Sequence, residues 1–242
     1  MRNRFCFILS FIIPVLVVRA QNNSFVNGSV NRIDKFYDAG KVSYKTKMGK
    51  VISKARYDAG GDFFEGMALV MQNEKRGFIN ESGEITIPLN FDDAMSFHNG
   101  LAVVSQDEKY GYLDVTGKVF IKLNYEYADT FSINGLARVK INGLFYFINK
   151  KSKVITKGYE DAINFSEGLA SVKEKGKWGF INSKGEWIIR PIFDRAYYFT
   201  NGECNVISAN KSYIINKEGI STRESESSEK FEESFRNEKK EK

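Results

Sequence analysis

The sequence predicts an all-β protein built from tandem, three-stranded antiparallel repeats of about 34 residues in a linear, solenoid-like stack. Aromatic residues recur every 34 residues in two columns. Between them, apolar and polar residues alternate as in half-buried strands, and turn-forming residues separate these segments at constant places. The first column contains Tyr57, Phe91, Tyr125, Tyr159 and Phe193, and the second contains Phe63, Phe97, Phe131, Phe165 and Phe199.

The clearest copy of the unit is the stretch from Gly168 to Phe199. Its first strand alternates around Ala170, and a turn at Gly176 leads into a second strand at 178–182. A second turn, with the composition Asn-x-x-Gly, leads into a third strand at 187–189. Each copy is therefore predicted to form two β-hairpins.

The array is predicted to cover residues 41–220, followed by a charged tail at 221–242. It opens on a partial copy that supplies strands two and three, and it closes on one that supplies strands one and two. Two architectures are compatible with such ends: an open stack, or a propeller-like ring closed by pairing the first and last copies. We favour the open stack, because a four-stranded propeller blade takes about 40 to 45 residues. The copies are 41–62 (partial), 63–96, 97–130, 131–164, 165–198 and 199–220 (partial).

A column of small residues marks the predicted seam between neighbouring copies. A position of this kind is expected where backbones approach too closely for a larger side chain. The aromatic columns are expected to line the shared interior, where burial of each ring contributes about 1.5 to 3 kcal/mol. The small column contains Gly60, Ala94, Ala128, Ala162 and Ala196.

The first twenty residues differ from the rest of the chain. Arg2 and Arg4 precede an apolar run at 5–18, and small residues end the segment at Ala20, as in a secretory signal peptide. We expect cleavage after Ala20, with no stable membrane span afterwards, because the run is shorter than the 18 to 20 residues needed. An uncleaved anchor is the alternative. Residues 21–40 are expected to be a polar leader, and the mature protein to be periplasmic, secreted or on the cell surface.

Charge and cysteine content narrow the function further. Loss of the three arginines in the first twenty residues lowers the formal net charge from +6 to about +3, which argues against nucleic acid as a partner. Cys204 is then the only cysteine, so no internal disulfide is expected. We predict that it is a small buried hydrophobe.

Recurring phrases give the unit a family resemblance. Gly-Leu-Ala-x-Val, Lys-x-Gly-Phe-Ile-Asn-x-x-Gly and Ile-x-Pro-x-Phe-Asp-x-Ala recur in fixed order over about residues 41–220. They resemble the WG-repeat family, most plainly at Trp178-Gly179, while Arg76-Gly77, Tyr110-Gly111 and Phe145 stand at that place in other copies. The resemblance implies a β-rich repeat protein, commonly bacterial and often exported, with no established catalytic residue set.

The sequence predicts no catalytic, cofactor or metal site. His98 is the single histidine and occupies a turn position, so His-based metal clusters and Ser-His or Cys-His catalysis are not expected. We therefore expect a non-enzymatic module that binds a protein partner, with carbohydrate or cell-wall binding as the alternative.

Two sets of residues are candidates for binding. An acidic column either binds cations or basic segments, or satisfies local backbone N–H groups, and we favour the second interpretation. Aromatic residues beyond the two columns either form a binding face or fill the interior of thin layers. The acidic column is Asp58, Asp92, Glu126, Glu160 and Asp194, and the additional aromatics are Trp178, Trp187, Tyr110, Tyr112, Tyr146, Tyr197 and Tyr198.

Overall fold

The computed structural model describes residues 33–53 and 55–224. These residues form strands and turns and contain no helix. The predicted signal peptide, residues 21–32 of the leader and residues 225–242 of the tail lie outside them. The strands are β1 (Ile33–Asp38), β2 (Lys41–Thr46), β3 (Ala59–Phe64), β4 (Met67–Gln72), β5 (Lys75–Asn80), β6 (Ile85–Phe91), β7 (Asp93–Ala94), β8 (Leu101–Gln106), β9 (Lys109–Asp114), β10 (Val119–Tyr125), β11 (Tyr127–Ala128), β12 (Leu136–Ile141), β13 (Leu144–Asn149), β14 (Asp161–Ala162), β15 (Ala170–Glu174), β16 (Lys177–Ile181), β17 (Trp187–Phe193), β18 (Arg195–Ala196), β19 (Glu203–Ser208), β20 (Lys211–Asn216) and β21 (Ser221–Glu224).

The strands form six small antiparallel sheets in chain order. Within each sheet, every strand pairs with the next along the chain. Sheet 1 is β1–β2, sheet 2 is β3–β6, sheet 3 is β7–β10, sheet 4 is β11–β13, sheet 5 is β14–β17 and sheet 6 is β18–β21. Extensive contacts join only strands of one sheet or of successive sheets. The prediction of an all-β repeat array is confirmed, and the array does not close into a ring.

Two-residue turns connect the two long central strands of each sheet. Asn73 and Glu74 have φ of 50° and 63°, and Ala209 and Asn210 have 49° and 61°. Positive φ at both positions is the geometry of a type I′ turn, whose twist matches that of the strands it joins. The second turn is the predicted Asn-x-x-Gly turn, in which Asn182 Oδ1 accepts hydrogen bonds from two backbone N–H groups.

The hydrophobic core is divided into five clusters, each formed by two successive sheets. All ten residues of the two aromatic columns are buried in them, which confirms the period. The alanines of the small column are buried as well. A Cβ at Gly60 would lie only 2.3 Å from Tyr44 Oη of the preceding sheet, so this position is a seam, as predicted.

Four of the six sheets contain four strands, one more than the three that we predicted, whereas sheet 4 contains three and sheet 1 contains two. The fourth is a two-residue strand at Ala94, Ala128, Ala162 or Ala196, within the segment that we treated as a connection between units. Two residues are too short to show an alternating pattern, so the sequence carries no strand signal there.

Both ends of the array also differ from the prediction. Strand β1 lies inside the range 21–40 that we predicted to be a polar leader, and β21 begins at the first residue of the predicted tail. Asp34, Lys35 and Asp38 obscure the apolar alternation of β1, whose place is set by the two-residue turn to β2. The first and the last copy thus each contain a strand that we had not assigned to them. The two ends are therefore not complementary in the way that suggested a ring.

Candidate functional site

Each sheet turns one face, here called the forward face, towards the sheet that follows. Phe78 on β5 illustrates its packing, because its ring centre lies 4.9 Å from that of Phe97 in the next sheet. The same contact recurs along the array. The equivalent pairs are Tyr44–Phe63 at 5.4 Å, Tyr112–Phe131 at 4.9 Å, Phe147–Phe165 at 4.7 Å and Phe180–Phe199 at 5.0 Å.

A second row on the forward face meets the two-residue strand of the next sheet. Arg76 Nε lies 3.5 Å from Asp93 Oδ1. One unit later, the ring centres of Tyr110 and Tyr127 are 5.8 Å apart. This row consists of the second residue of β5, β9, β13, β16 and β20, and its members are Arg76, Tyr110, Phe145, Trp178 and Ser212.

Arg138 joins sheets 4 and 5 through a polar and aromatic cluster. Its Nε donates to Asp129 Oδ2 at 2.8 Å, and another guanidinium nitrogen donates to the carbonyl oxygen of Ala162. The guanidinium carbon lies 5.1 Å from the ring centres of both Tyr127 and Phe145. Burial raises the pKa of Tyr127, whose hydroxyl donates to Asp129. The arginine is thereby fixed in place.

A groove of about 560 Å³ lies where sheets 4, 5 and 6 meet, beside the two-residue strands β14 and β18. Both carboxylates that line the groove already have hydrogen-bond partners. Asp161 Oδ1 accepts from the backbone N–H of Ala162 at 2.8 Å, and Asp194 is bonded to Lys177 and to the backbone of Ala209. The charged and aromatic residues lining the groove are Arg138, Asp161, Lys173, Trp178, Asp194, Arg195, Tyr197 and Tyr198.

Lys173 is another basic residue that lines the groove. It is half-buried, and no acidic side chain of the described residues lies within ion-pair distance of its Nζ. The groove thus combines the side chain of this half-buried lysine with the rings of Trp178 and Tyr198. Cations beside aromatic anchors are typical of sites that recognise protein segments.

The acidic column has a structural role. Asp92 Oδ2 accepts a hydrogen bond from the backbone N–H of Asp107 at 2.8 Å, in the type I′ turn of the same sheet. Lys75 pairs with the other oxygen, and these bonds lower the pKa of Asp92. The other four carboxylates accept the equivalent bond, from Asn73 to Asp58, from Gly143 to Glu126, from Gly176 to Glu160 and from Ala209 to Asp194.

The structure brings only some of the candidate aromatics together. Trp178 and Tyr198 share the groove, but Trp178 is 8% exposed and packs in the core, whereas Tyr198 is 39% exposed. Trp187 packs instead against Tyr159, with ring centres 5.9 Å apart. Tyr110 lies against Tyr127, and Tyr146 is half-buried beside Gly158.

The environments of Cys204 and His98 can be compared with those that the sequence predicts. Cys204 is buried, as predicted, and burial raises the pKa of its thiol to about 12. His98 is exposed at its turn. Within residues 33–53 and 55–224, no three His, Cys, Asp or Glu side chains are placed to hold a metal ion. No helix long and apolar enough to span a membrane occurs in this part of the chain.

Sequence analysis missed the basic residues of the groove. Arg138 is the one with a visible signal, since the equivalent positions hold Leu69, Val103 and Ser171. A charged residue in a column of apolar or small residues indicates a special contact. The sequence gives no such signal for Lys173 and Arg195, because basic residues are common at the exposed edges of β-sheets.

The repeat described as "WG containing repeat" matches five tandem segments that together cover most of the chain. The chain belongs to the WG-repeat family. The matched segments are residues 44–75, 77–110, 110–145, 147–178 and 178–206. Family and fold together indicate a repeat-based binding module.

No curated protein sequence matches the chain. Among solved structures, a eukaryotic initiation factor is 10% identical with a TM-score of 0.53, and the match covers 79% of this chain and 62% of that one. Hsv2 of Kluyveromyces lactis is 12% identical, with a TM-score of 0.46 and coverage of 66% and 60%. Dihydro-heme d1 dehydrogenase NirN is 12% identical, with a TM-score of 0.46 and coverage of 80% and 53%. The WG-repeat chain therefore spans less than two thirds of each.

The glycine of the WG motif has a steric role. A Cβ at Gly179 would lie 2.5 Å from the carbonyl oxygen of Ile189 in β17, and Gly77 and Gly111 are as closely covered. Sheet 4 has Tyr146 at this position, and there the last strand is reduced to isolated bridges at Val154 and Tyr159. The glycine thus allows the last strand to cross closely over its neighbour.

Proposed function

We propose that this chain is an exported, non-enzymatic WG-repeat protein that binds a protein partner through the groove between sheets 4, 5 and 6. The observation that carries the proposal is the half-buried Lys173 beside Trp178 and Tyr198. An ammonium group in that setting favours a partner segment with a carboxylate next to an apolar side chain. Export is supported by the charged, apolar and small-residue pattern of residues 1–20.

The burial of Trp178 favours a protein partner over a sugar. Stacking on a sugar requires an open ring face, and this indole is 8% exposed. Its position in the core cluster between sheets 5 and 6 gives it a packing role instead. Tyr198 and Lys173 are the groove residues that a partner would contact.

A photo-crosslinking side chain at position 198, introduced into the full chain and expressed in a bacterial host, tests this. We expect a protein adduct in the envelope or secreted fraction. The adduct should be lost with Lys173→Glu and retained with Lys184→Glu, which changes the same charge in an exposed turn.

Three results would contradict the proposal. An adduct that survives Lys173→Glu would place binding elsewhere. An adduct that resists protease but is removed by glycosidase would indicate the carbohydrate alternative. Recovery of the protein only from the cytoplasm would show that it is not exported.

A further inference from the structure

The forward face of sheet 6 is followed by no further sheet among the described residues. In sheets 1 to 5 this face is covered by the next sheet, whose side chains complete a core cluster. The face at the end of the array carries two isoleucines and two uncharged polar residues. Its members are Glu203, Asn205, Ile207, Ser212 and Ile214.

Part of this terminal face is as buried as a covered one, although Ile214 is only half-buried at the position where Phe180 of sheet 5 is fully buried. Ile207 is 6% exposed and Ser212 is 4% exposed, values close to those of Trp178 on the covered face of sheet 5. Asn205 Oδ1 and Ser212 Oγ are also buried, and neither has a hydrogen-bond partner. Buried polar atoms without partners are rare, so their partners are expected on whatever covers the face.

Earlier forward faces show which partners such polar groups take. Ser171, at the position of Asn205 one unit earlier, donates to the main-chain carbonyl of Tyr197. Tyr112 Oη likewise donates to the carbonyl oxygen of Asp129 at 2.7 Å. A forward face therefore bonds to the backbone of the segment that covers it. Asn205 and Ser212 are suited to bond to a main-chain segment in the same way.

We propose that residues 225–242 of this chain fold back and cap the forward face of sheet 6, with Phe231 and Phe235 packed on Ile207 and Ile214. Strand β21 ends at Glu224, on the edge of this same sheet. Seven extended residues reach about 23 Å. The centre of the face, at β19, is two strand spacings away, or about 10 Å. Phe231 therefore reaches it easily.

Composition favours this segment as the occupant. The two phenylalanines are the large apolar residues of 225–242 and are four positions apart. Four glutamates and one lysine lie between residues 225 and 233, whereas two glutamates, one arginine and three lysines lie between residues 236 and 242. Arg195 pairs in register with Ile207 and so lies at the border of this face, whereas Lys211 pairs with Ser208 on the opposite side of the sheet. Arg195 is complementary in charge to the acidic stretch before Phe235.

The inference does not depend on the proposed function, because the terminal face lies on the opposite side of sheet 6 from the core that it shares with sheet 5. A cap made in cis would stop a second copy from stacking its first sheet on this face. The protein would then stay monomeric and would not stack end to end into a filament.

The test measures the reactivity of a thiol placed under the proposed cap. Ser212→Cys, which changes only oxygen to sulfur, is combined with Cys6→Ser in the full chain and labelled with a maleimide. Peptide mass spectrometry reports labelling at position 212 and at Cys204, which is buried on the other face and reports global opening. We expect slow labelling at 212, accelerated about tenfold or more by Phe231→Ala with Phe235→Ala.

The matched control changes two other residues of the same segment, with Lys239→Ala and Lys240→Ala, and should leave the rate unchanged. Cys204 should stay protected in every variant. Fast labelling at position 212 in the protein with the unaltered tail would overturn the proposal. Equal labelling rates with and without the two phenylalanines would also overturn it. A rate that rises on dilution of the full chain would assign the face to a second copy instead.

Discussion

The α-carbon of Gly179 lies so close under β17 that a Cβ on it would be 2.5 Å from the carbonyl oxygen of Ile189. This contact is between backbones, so no side-chain rotation can relieve it. It explains why the second residue of the WG motif is a glycine in sheets 2, 3 and 5, whose last strand has seven residues, whereas sheet 6 has Tyr213 at this position and a last strand of four residues.

Replacement of this glycine should therefore be costly. We expect Gly179→Ala to lower the free energy of unfolding by about 2 to 4 kcal/mol, because the backbone of β17 must move. Gly61→Ala is the control, since a Cβ there meets its nearest atom at 3.8 Å and φ is not positive. Urea unfolding followed by circular dichroism measures both. Equal stability of the two variants would show that the close crossing is not required.

The contact between Phe78 and Phe97 should couple two sheets. Both rings are fully buried, so Phe97→Ala should lower the unfolding free energy by about 3 to 5 kcal/mol. A double-mutant cycle with Phe78→Leu should give a coupling energy of about 0.5 to 1.5 kcal/mol. The same cycle between Phe97 and the distant Phe199 should be additive. Coupling of equal size in both cycles would contradict pairwise packing between neighbours.

The acidic column should govern acid stability. The pKa values of Asp58, Asp92 and Asp194 are lowered, first by their lysine partners and then by turn N–H groups. A lowered pKa gives stability that is complete above the unfolded value, about 3.9, and is lost as the pH falls through the folded value. The triple Asp→Asn variant should therefore lose less in Tm between about pH 5 and pH 2 than the unaltered protein.

The control for acid stability replaces three other exposed carboxylates. Glu81, Glu108 and Glu218 accept no backbone hydrogen bond from a type I′ turn within the described residues. Their replacement by Gln should leave the pH profile of Tm parallel to that of the unaltered protein. If the pH profile of Tm of the Asp→Asn variant were also parallel to that of the unaltered protein, the acidic column would not contribute to acid stability.

Cys204 should be inert in the folded protein. Burial raises the pKa of its thiol to about 12, so little thiolate exists at pH 8. We expect alkylation at least about a hundredfold slower than that of an exposed thiol introduced by Ser183→Cys. Denaturant should abolish the difference. Comparable native rates would show that this region opens readily.

The period alone predicted the repeat fold, because identical spacing puts equivalent side chains into equivalent places. Phe91 and Phe193 are buried for the same reason in different sheets, and Ala128 and Ala162 occupy equivalent positions at successive seams. Such positions are set by a local pattern repeated many times. They require no knowledge of which sheet faces which.

The groove could not be predicted in the same way. Trp178 lies in sheet 5 and Tyr198 follows β18 of sheet 6, so the two meet only because a forward face packs on the two-residue strand of the next sheet. That strand is too short for a periodic signal. The packing of Arg138 depends on Asp129 and Ala162, which lie in two different sheets. Contacts of this kind arise from the relation between repeats, which one unit does not contain.

Removal of one whole repeat tests the central claim, that successive 34-residue units are interchangeable layers sharing one kind of interface. Deletion of residues 93–126 joins Asp92 to Tyr127 and keeps the register, so Phe78 would face Phe131 as it now faces Phe97. We expect a folded, monomeric β protein with cooperative thermal unfolding, whereas deletion of residues 95–124, which breaks the register, should not fold. Failure of the in-register deletion to fold, or equal behaviour of the two deletions, would contradict the account.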